Sequence, residues 1–232
     1  MPQDVAIVVG AGPGLGAALA RRFAEAGLTV AVARRRKEEL EALAAETGGR
    51  AYACDAADHG AVEALFAAVE RDLGSPAVVS FNAGAYRPGG ILEITPEDFE
   101  HCWRVGCLGG FNVGRAAARR MLEAGSGTLL YTGATAALRG SAGFANLAVP
   151  KFGLRALAQS LARELGPKGI HVAHLIIDGQ IASERPGYSP GERGPDAVLD
   201  PAAIAEAAYQ VHLQPRSAWT QELDLRPWVE RF

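Results

Sequence analysis

Short runs of valine, isoleucine, alanine and leucine alternate along the chain with longer stretches in which apolar residues recur every three or four positions. An apolar run of four to eight residues between turn residues reads as a strand buried on both faces, and the longer periodic stretches read as amphipathic helices. The pattern predicts strands near Val5–Val9, Thr29–Ala33, Ala51–Cys54, Ala77–Phe81, Gly127–Thr132 and His171–Ile177, with a last one over Gln221–Leu225. Helices are predicted over Leu15–Ala26, Lys37–Glu46, Ala61–Leu73, Pro96–Glu123, Phe152–Leu165 and Pro201–Leu213. Alternation of strand and helix from end to end is the signature of βαβ units. The expected fold class is α/β, a doubly wound parallel sheet of about seven strands with helices on both faces.

One stretch breaks the rhythm. Gly179–Pro201 holds Pro186, Pro190 and Pro195 with Gly187, Gly191 and Gly194, and has no periodic pattern. A loop of this length inside a compact domain is expected to be a lid, a binding segment or disordered, and here it is read as a substrate lid. No linker, repeat or shift of composition appears elsewhere, so residues 1–232 read as a single domain.

Composition narrows the function more than the fold. With 49% apolar, 21% charged and 7% aromatic residues the chain is of ordinary globular make-up, which rules out a disordered segment. A net charge of -3 and a pI near 6.0 provide no general attraction for nucleic acid or anionic membranes, which leaves a small molecule as the expected partner. No segment approaches the ~18 apolar residues of a membrane span. The start MPQDVAIVVGAG lacks the basic and apolar regions of a signal peptide, and the expectation is a cytoplasmic protein. Cys54, Cys102 and Cys107 are odd in number and match neither a zinc site nor a disulfide framework, so no metal is expected and they read as buried thiols.

The first candidate chemistry follows the first strand. Gly10-Ala11-Gly12-Pro13-Gly14-Leu15-Gly16 opens directly into the helical stretch LGAALARRFAEAG. A glycine turn lets backbone approach a pyrophosphate, and the helix N-terminus offers free N–H groups and a positive dipole to the anion. A dinucleotide is the natural ligand; a glycine-rich turn that binds nothing is the alternative, against which the flanking strand and helix argue. The strict G-x-G-x-x-G spacing from Gly10 fails at Leu15, while Gly12, Gly14 and Ala17 satisfy the variant that ends in alanine.

Gly10, Gly14 and Gly16 match the G-x-x-x-G-x-G of the short-chain dehydrogenase/reductase family, and Asn82-Ala83-Gly84 matches its Asn-Ala-Gly motif. The chain resembles that family over nearly its whole length. The resemblance implies a Rossmann fold and an oxidoreductase that moves a hydride between a nicotinamide and a carbonyl or alcohol carbon. It places Gly10, Gly12, Gly14, Leu15 and Gly16 at the pyrophosphate, Asp55 at the adenine, and Asn82, Ala83 and Gly84 beside the cofactor. Lys151 falls at the nicotinamide ribose, and Gly179, Ile181 and Ser183 near the nicotinamide amide. Val9 stands where the family normally carries threonine or serine.

Cofactor choice turns on the end of the second strand, where an acid would bind both ribose hydroxyls and repel a 2′-phosphate. The chain reads Ala33-Arg34-Arg35-Arg36 there. A guanidinium makes paired, charge-assisted bonds to phosphate, so NADP(H) is expected over NAD(H), with Arg34 or Arg35 as the phosphate partner. A solvated basic turn is the alternative.

The catalytic half departs from the family. Its Tyr-x-x-x-Lys reads Leu147-Ala148-Val149-Pro150-Lys151, which retains the lysine and replaces the proton donor by a side chain that can neither give nor take a proton. The serine position falls on Ala134 within Thr132-Gly133-Ala134-Thr135, where Thr132 and Thr135 are neighbouring hydroxyls that either replace it or bond the local backbone. The asparagine position falls on Gly106, and the family's Pro-Gly appears as Asp178-Gly179. Pro150 reads as an interruption unless the helix starts there. Tyr188 and His174 are other groups able to move a proton, although a histidine in an apolar strand is expected to be a satisfied core residue. Tyr86 borders the pocket or packs in its loop, and Tyr131 is expected in the core.

Two functions fit these residues. The first is an NADP(H)-dependent oxidoreductase working by a non-standard acid/base route; the second is a catalytically inactive relative acting as a nucleotide-binding sensor or structural partner subunit. The resemblance further implies a homodimer or homotetramer. Phe152, Leu154, Leu157, Leu161 and Leu165 give the late helix a broad apolar surface, which equally suits covering the sheet. Trp219, Trp228 and Phe232 either close a neighbouring subunit's site or anchor the tail.

Overall fold

The computed structural model describes residues 4–183, 189, 191, 194 and 196–230. Seven strands, β1 Val5–Val9, β2 Thr29–Arg34, β3 Arg50–Ala53, β4 Pro76–Phe81, β5 Gly127–Thr132, β6 Ile170–Ile177 and β7 Glu222–Leu225, form one sheet in the order β3-β2-β1-β4-β5-β6-β7. Every pairing is parallel. The apolar runs have the physical reason expected of a parallel sheet covered on both sides: all residues of β1 and β6 are buried.

Helices α1 Leu15–Glu25 and α2 Glu41–Thr47 pack on one face together with α7, Pro201–His212. Helices α3 His59–Asp72, α5 Gly109–Ala124 and α6 Ala145–Leu165 cover the other. Caps set several boundaries: Asp58 accepts from the Ala61 amide, and Asp200 from the Ala202 amide with Pro201 following it. The strand order reverses between β1 and β4, which opens a crevice at the carboxyl ends of these strands.

Two predicted helices differ from expectation. The stretch expected as one helix over Pro96–Glu123 is α4, Pro96–Trp103, a π-helical segment over Arg104–Leu108, and α5. The break lies where Gly106 meets Pro150: a Cβ on Gly106 would stand 3.1 Å from the Pro150 Cβ, and the extra backbone residue of a π turn accommodates the close approach. The helix expected from Phe152 begins at Ala145 instead, so Pro150 neither starts nor stops it. Proline removes one intrahelical bond to the Asn146 carbonyl. Asn146 is fully buried and its Nδ2 donates to the Arg87 carbonyl at 2.8 Å, which pins this first turn to the loop after β4. The helix expected over Lys37–Glu46 opens with a 3₁₀ turn, Lys37–Leu40, before α2.

The apolar residues of α6 divide. Leu154 and Leu165 are buried, Leu157 and Leu161 pack at the core's edge, and Phe152 is exposed.

β7 is held to α6 by charge. Arg155 Nε and Nη2 donate to the two Glu222 oxygens at 2.7 and 2.8 Å, and Gln159 Nε2 donates to Oε1 at 3.0 Å. Arg155 holds the Glu222 carboxyl down at about 2, from an ordinary value of 4.5. A carboxyl depressed in the folded state contributes stability above its unfolded value and loses it as pH falls toward the folded value. Glu222→Gln is therefore expected to cost about 1–3 kcal/mol at neutral pH. Urea unfolding should show that deficit shrinking as pH falls from 4.5 toward about 2.

Candidate active site

The glycine turn is built by packing. Gly10 has φ +91° and a Cβ there would lie 2.4 Å from the Ala83 amide nitrogen, so the turn rests directly on the backbone that follows β4. The Asn82 Nδ2 donates to the Gly10 carbonyl at 3.0 Å and locks the two segments together. A Cβ on Gly16 would lie 2.6 Å from the Gly10 carbonyl oxygen. Gly12 and Gly14 have the opposite surroundings, with nothing within 4 Å of either Cβ direction, and Gly14 takes φ 110° and ψ -133°, a conformation open to glycine. Leu15 and Gly16 begin α1, whose N-terminus carries no side-chain cap and no acidic residue in its first turn. Such an end keeps its amide donors and positive potential for an external anion.

A cleft of about 580 Å³ opens at the carboxyl ends of the first four strands. Gly10 and Gly12 line it from β1, Arg34 and Arg35 from β2, Asp55 from the end of β3, and Asn82, Ala83 and Gly84 from β4. Eight of the residues singled out in the sequence thus share one cavity. Val9, Arg36, Cys54, Ala56 and Val105 complete its lining; Arg36 carried a signal as the third arginine of its run, while Ala56 and Val105 carried none. Burial pushes the Cys54 thiol up to about 12, so it stays protonated and unreactive.

The arginines are not equivalent. Arg34 Nη1 pairs with Glu39 Oε2 at 2.6 Å, and Arg36 takes the other Glu39 oxygen. Among the described residues Arg35 makes no ion pair. The Glu39 clamp was missed in the sequence, although an acid a few residues past an arginine run was its available signal.

The other candidates lie farther along the same edge, outside the cleft lining. Lys151 is buried, its Nζ donates to the Thr132 carbonyl at 2.6 Å, and burial pushes its amine down to about 8. Leu147 precedes it by one turn on α6. The Thr135 Oγ1 donates to Asp178 Oδ1 at 2.5 Å, and the buried Asp178 also faces Arg226 Nη2 at 3.5 Å. Thr135 bonds a side chain from the end of β6 rather than the local backbone. The Thr132 Oγ1 is buried without a hydrogen-bond partner, and Ala134 is extended between them. Gly179 has φ 144°, and a Cβ there would lie 2.9 Å from Pro227 and 3.0 Å from Leu199. Ile181 bridges Leu199, which joins the two ends of the 179–201 segment.

Tyr131 is in the core, with its hydroxyl donating to the Gly110 carbonyl at 3.1 Å. His174 is also in the core, but it is not satisfied: neither ring nitrogen has a partner. Tyr86 stacks on Phe144 with ring centres 5.0 Å apart and donates to the Gly143 carbonyl at 3.1 Å. Trp219 stacks on His171 at 4.7 Å, and the exposed Trp228 donates to Asp196 at 3.3 Å. Tyr188 and Phe232 lie outside the described residues. Among the described residues no helix is long and apolar enough to cross a membrane.

Comparison with known proteins agrees with this architecture. The sequence profile of short chain dehydrogenases matches residues 4–184. A D-threitol dehydrogenase of Mycolicibacterium smegmatis is 34% identical over 173 residues, spanning 72% of this chain and 66%, just under two thirds, of that one. The crystal structure of a short-chain dehydrogenase from Rhodopseudomonas palustris is 44% identical, with a TM-score of 0.84 over 98% of this chain and 100% of the other. An alcohol dehydrogenase from the archaeon Thermococcus sibiricus, complexed with 5-hydroxy-NADP, is 26% identical with a TM-score of 0.86 over 99% and 98% of the two chains. With the glycine turn, the reversed strand order and these matches in agreement, the chain belongs to the short-chain dehydrogenase family.

Proposed function

We propose that the chain binds NADP(H) in the cleft and is an oxidoreductase acting on a carbonyl or alcohol by an acid/base route that bypasses position 147. The observation that carries the reading is the open face of Gly12 and Gly14 beside an uncapped helix N-terminus, with Arg34 and Arg35 lining the cleft at the end of β2. The 5-hydroxy-NADP complex of the Thermococcus relative supports it.

In this reading Gly12, Gly14, Leu15 and Gly16 hold the pyrophosphate, with Gly10 shaping the turn. Asp55 holds the adenine, Asn82, Ala83 and Gly84 form the wall beside it, and Arg34 and Arg35 hold the 2′-phosphate. Lys151 takes the nicotinamide ribose, and Gly179 and Ile181 border the nicotinamide amide. When bound, the nicotinamide supplies or accepts a hydride. Leu147 moves no proton, and Thr135 is committed to Asp178. The Thr132 hydroxyl, the other candidate, is closed off from the surface, so solvent is the source of the substrate's proton. General acid help is worth about 10²–10⁴-fold, so its weakening leaves a slow reaction rather than none. The expected substrate lid over 179–201 lies in part, at 184–188, 190, 192, 193 and 195, outside the described residues.

Arg35→Ala is expected to weaken NADPH binding about 10–100-fold, the worth of a charge-assisted pair, and to leave NADH binding nearly unchanged. Arg34→Ala should cost less, because Arg34 already spends one face on Glu39. Calorimetric titration of each variant with both nucleotides checks this.

The enzyme reading is tested by NADPH oxidation across a broad panel of aldehydes and ketones, with slow turnover of at least one expected. Firm NADPH binding without turnover on any of them supports instead a catalytically inactive nucleotide-binding relative. That second reading has its own observation: a Cβ on Gly106 would stand 3.1 Å from the Pro150 Cβ, a tight fit for an asparagine at that position. Assembly into a dimer or tetramer fits the exposed Phe111 on α5 and Phe152 on α6, and scattering mass decides it.

A further inference from the structure

His174 is a costly residue. It lies in the middle of β6, fully buried, on the sheet face covered by α5 and α6, and neither ring nitrogen has a hydrogen-bond partner. Its cross-strand neighbours are Tyr131 on β5 and Glu222 on β7. Neither serves the imidazole, because Tyr131 donates to the Gly110 carbonyl and Glu222 is taken by Arg155 and Gln159. A buried polar group left unpaired is unfavourable, and an apolar side chain would fill the same space at no such cost.

The chain makes room for this ring. A Cβ on Gly133 would fall 2.5 Å from both Cε1 and Nε2 of His174, so any larger residue at 133 would displace it. Gly133 follows Thr132, whose carbonyl accepts the one hydrogen bond made by the buried Lys151 ammonium. The imidazole and the ammonium therefore meet the same two-residue segment at the end of β5. Lys151 has three N–H donors and uses one of them on Thr132.

We propose that His174 is a positioning residue for Lys151, its neutral imidazole accepting a second hydrogen bond from the ammonium through one water, and so fixing the amine at the end of β5. Burial is the largest cause holding His174 neutral, and the Lys151 charge acts in the same direction. A neutral imidazole has one nitrogen free to accept. The charged and titratable groups around the pair are Tyr131 from β5, Glu222 from β7 and Arg155 from α6, with Cys107 of the π-helical segment acting on Tyr131. Arg155 and Glu222 neutralise each other, so His174 is left as the acceptor for the amine. An acceptor on the charged form raises an amine's proton affinity, so removing it lowers that affinity further.

The chain has three lysines, Lys37, Lys151 and Lys168, which makes the test direct on the free protein and independent of nucleotide binding. Carbon-13 lysine spectra are followed against pH, with Lys37→Arg and Lys168→Arg used for assignment. Lys151 is expected to titrate near 8. His174→Leu should lower its proton affinity about tenfold, and His174→Gln, which keeps an acceptor, should restore it. An unchanged Lys151 midpoint in His174→Leu overturns the proposal and makes the ring a space-filler. So does a His174→Gln midpoint as low as that of His174→Leu. Should the variants fail to fold, nitrogen-15 spectra of the native histidines decide. One His174 nitrogen should shift with the Lys151 midpoint, and a flat response overturns the proposal.

Discussion

Lys151→Met is expected to make the folded protein more stable at neutral pH, by about 3 kcal/mol less the worth of the hydrogen bonds the ammonium makes. The reasoning starts from burial: the amine falls from an ordinary 10.5 to about 8 because its charge is taken out of water. Each tenfold loss of proton affinity is worth about 1.4 kcal/mol. Below pH 8 the lysine is charged in both folded and unfolded states, and the folded state carries the full penalty. Between about 8 and 10.5 the unfolded chain binds more protons than the folded one, so native stability rises with pH across that window. The gain from methionine should shrink across the same window. Urea unfolding of both proteins at several pH values checks it. A destabilised variant at neutral pH would mean that the ammonium is better paired than its bond to Thr132 and the proposed bond toward His174 together indicate. A residue kept at a cost to stability is what a functional lysine predicts.

The second large effect is expected at the glycine turn. Gly10→Ala puts a methyl group 2.4 Å from the Ala83 nitrogen in a backbone conformation of φ +91°, so the turn must move away from β4. Overpacking against backbone together with left-handed strain should cost about 3–5 kcal/mol and remove nucleotide binding. Gly12→Ala is the contrast. Its Cβ meets nothing within 4 Å, so stability should hold while the methyl group narrows the face offered to a phosphate. Denaturant midpoints and nucleotide titrations on the two variants separate loss of fold from loss of site.

The sheet was legible because parallel strands covered on both faces leave an unbroken apolar run, as VAIVV does in β1. The glycine turn was legible because its chemistry is local, a strand, a tight turn and a helix start within a dozen residues. What escaped depends on distant partners. The π-helical break at Gly106 is set by Pro150, and the early start of α6 is held by Asn146 on Arg87. Thr135 finds Asp178 across 43 positions, and Glu39 pairs with both Arg34 and Arg36 only once the 3₁₀ turn folds back. His174 was readable as a buried histidine in an apolar strand, but its lack of partners was visible only once the neighbouring side chains were placed.

The central claim is that this cleft is an NADP(H) site. Calorimetric titration of nucleotide-free protein with NADPH and, separately, NADH tests it most directly. The account predicts micromolar NADPH binding, with NADH weaker by about 10–100-fold, the worth of the arginine contacts to a 2′-phosphate. Equal binding of the two would contradict the role given to Arg34 and Arg35, and binding of neither would contradict the site itself.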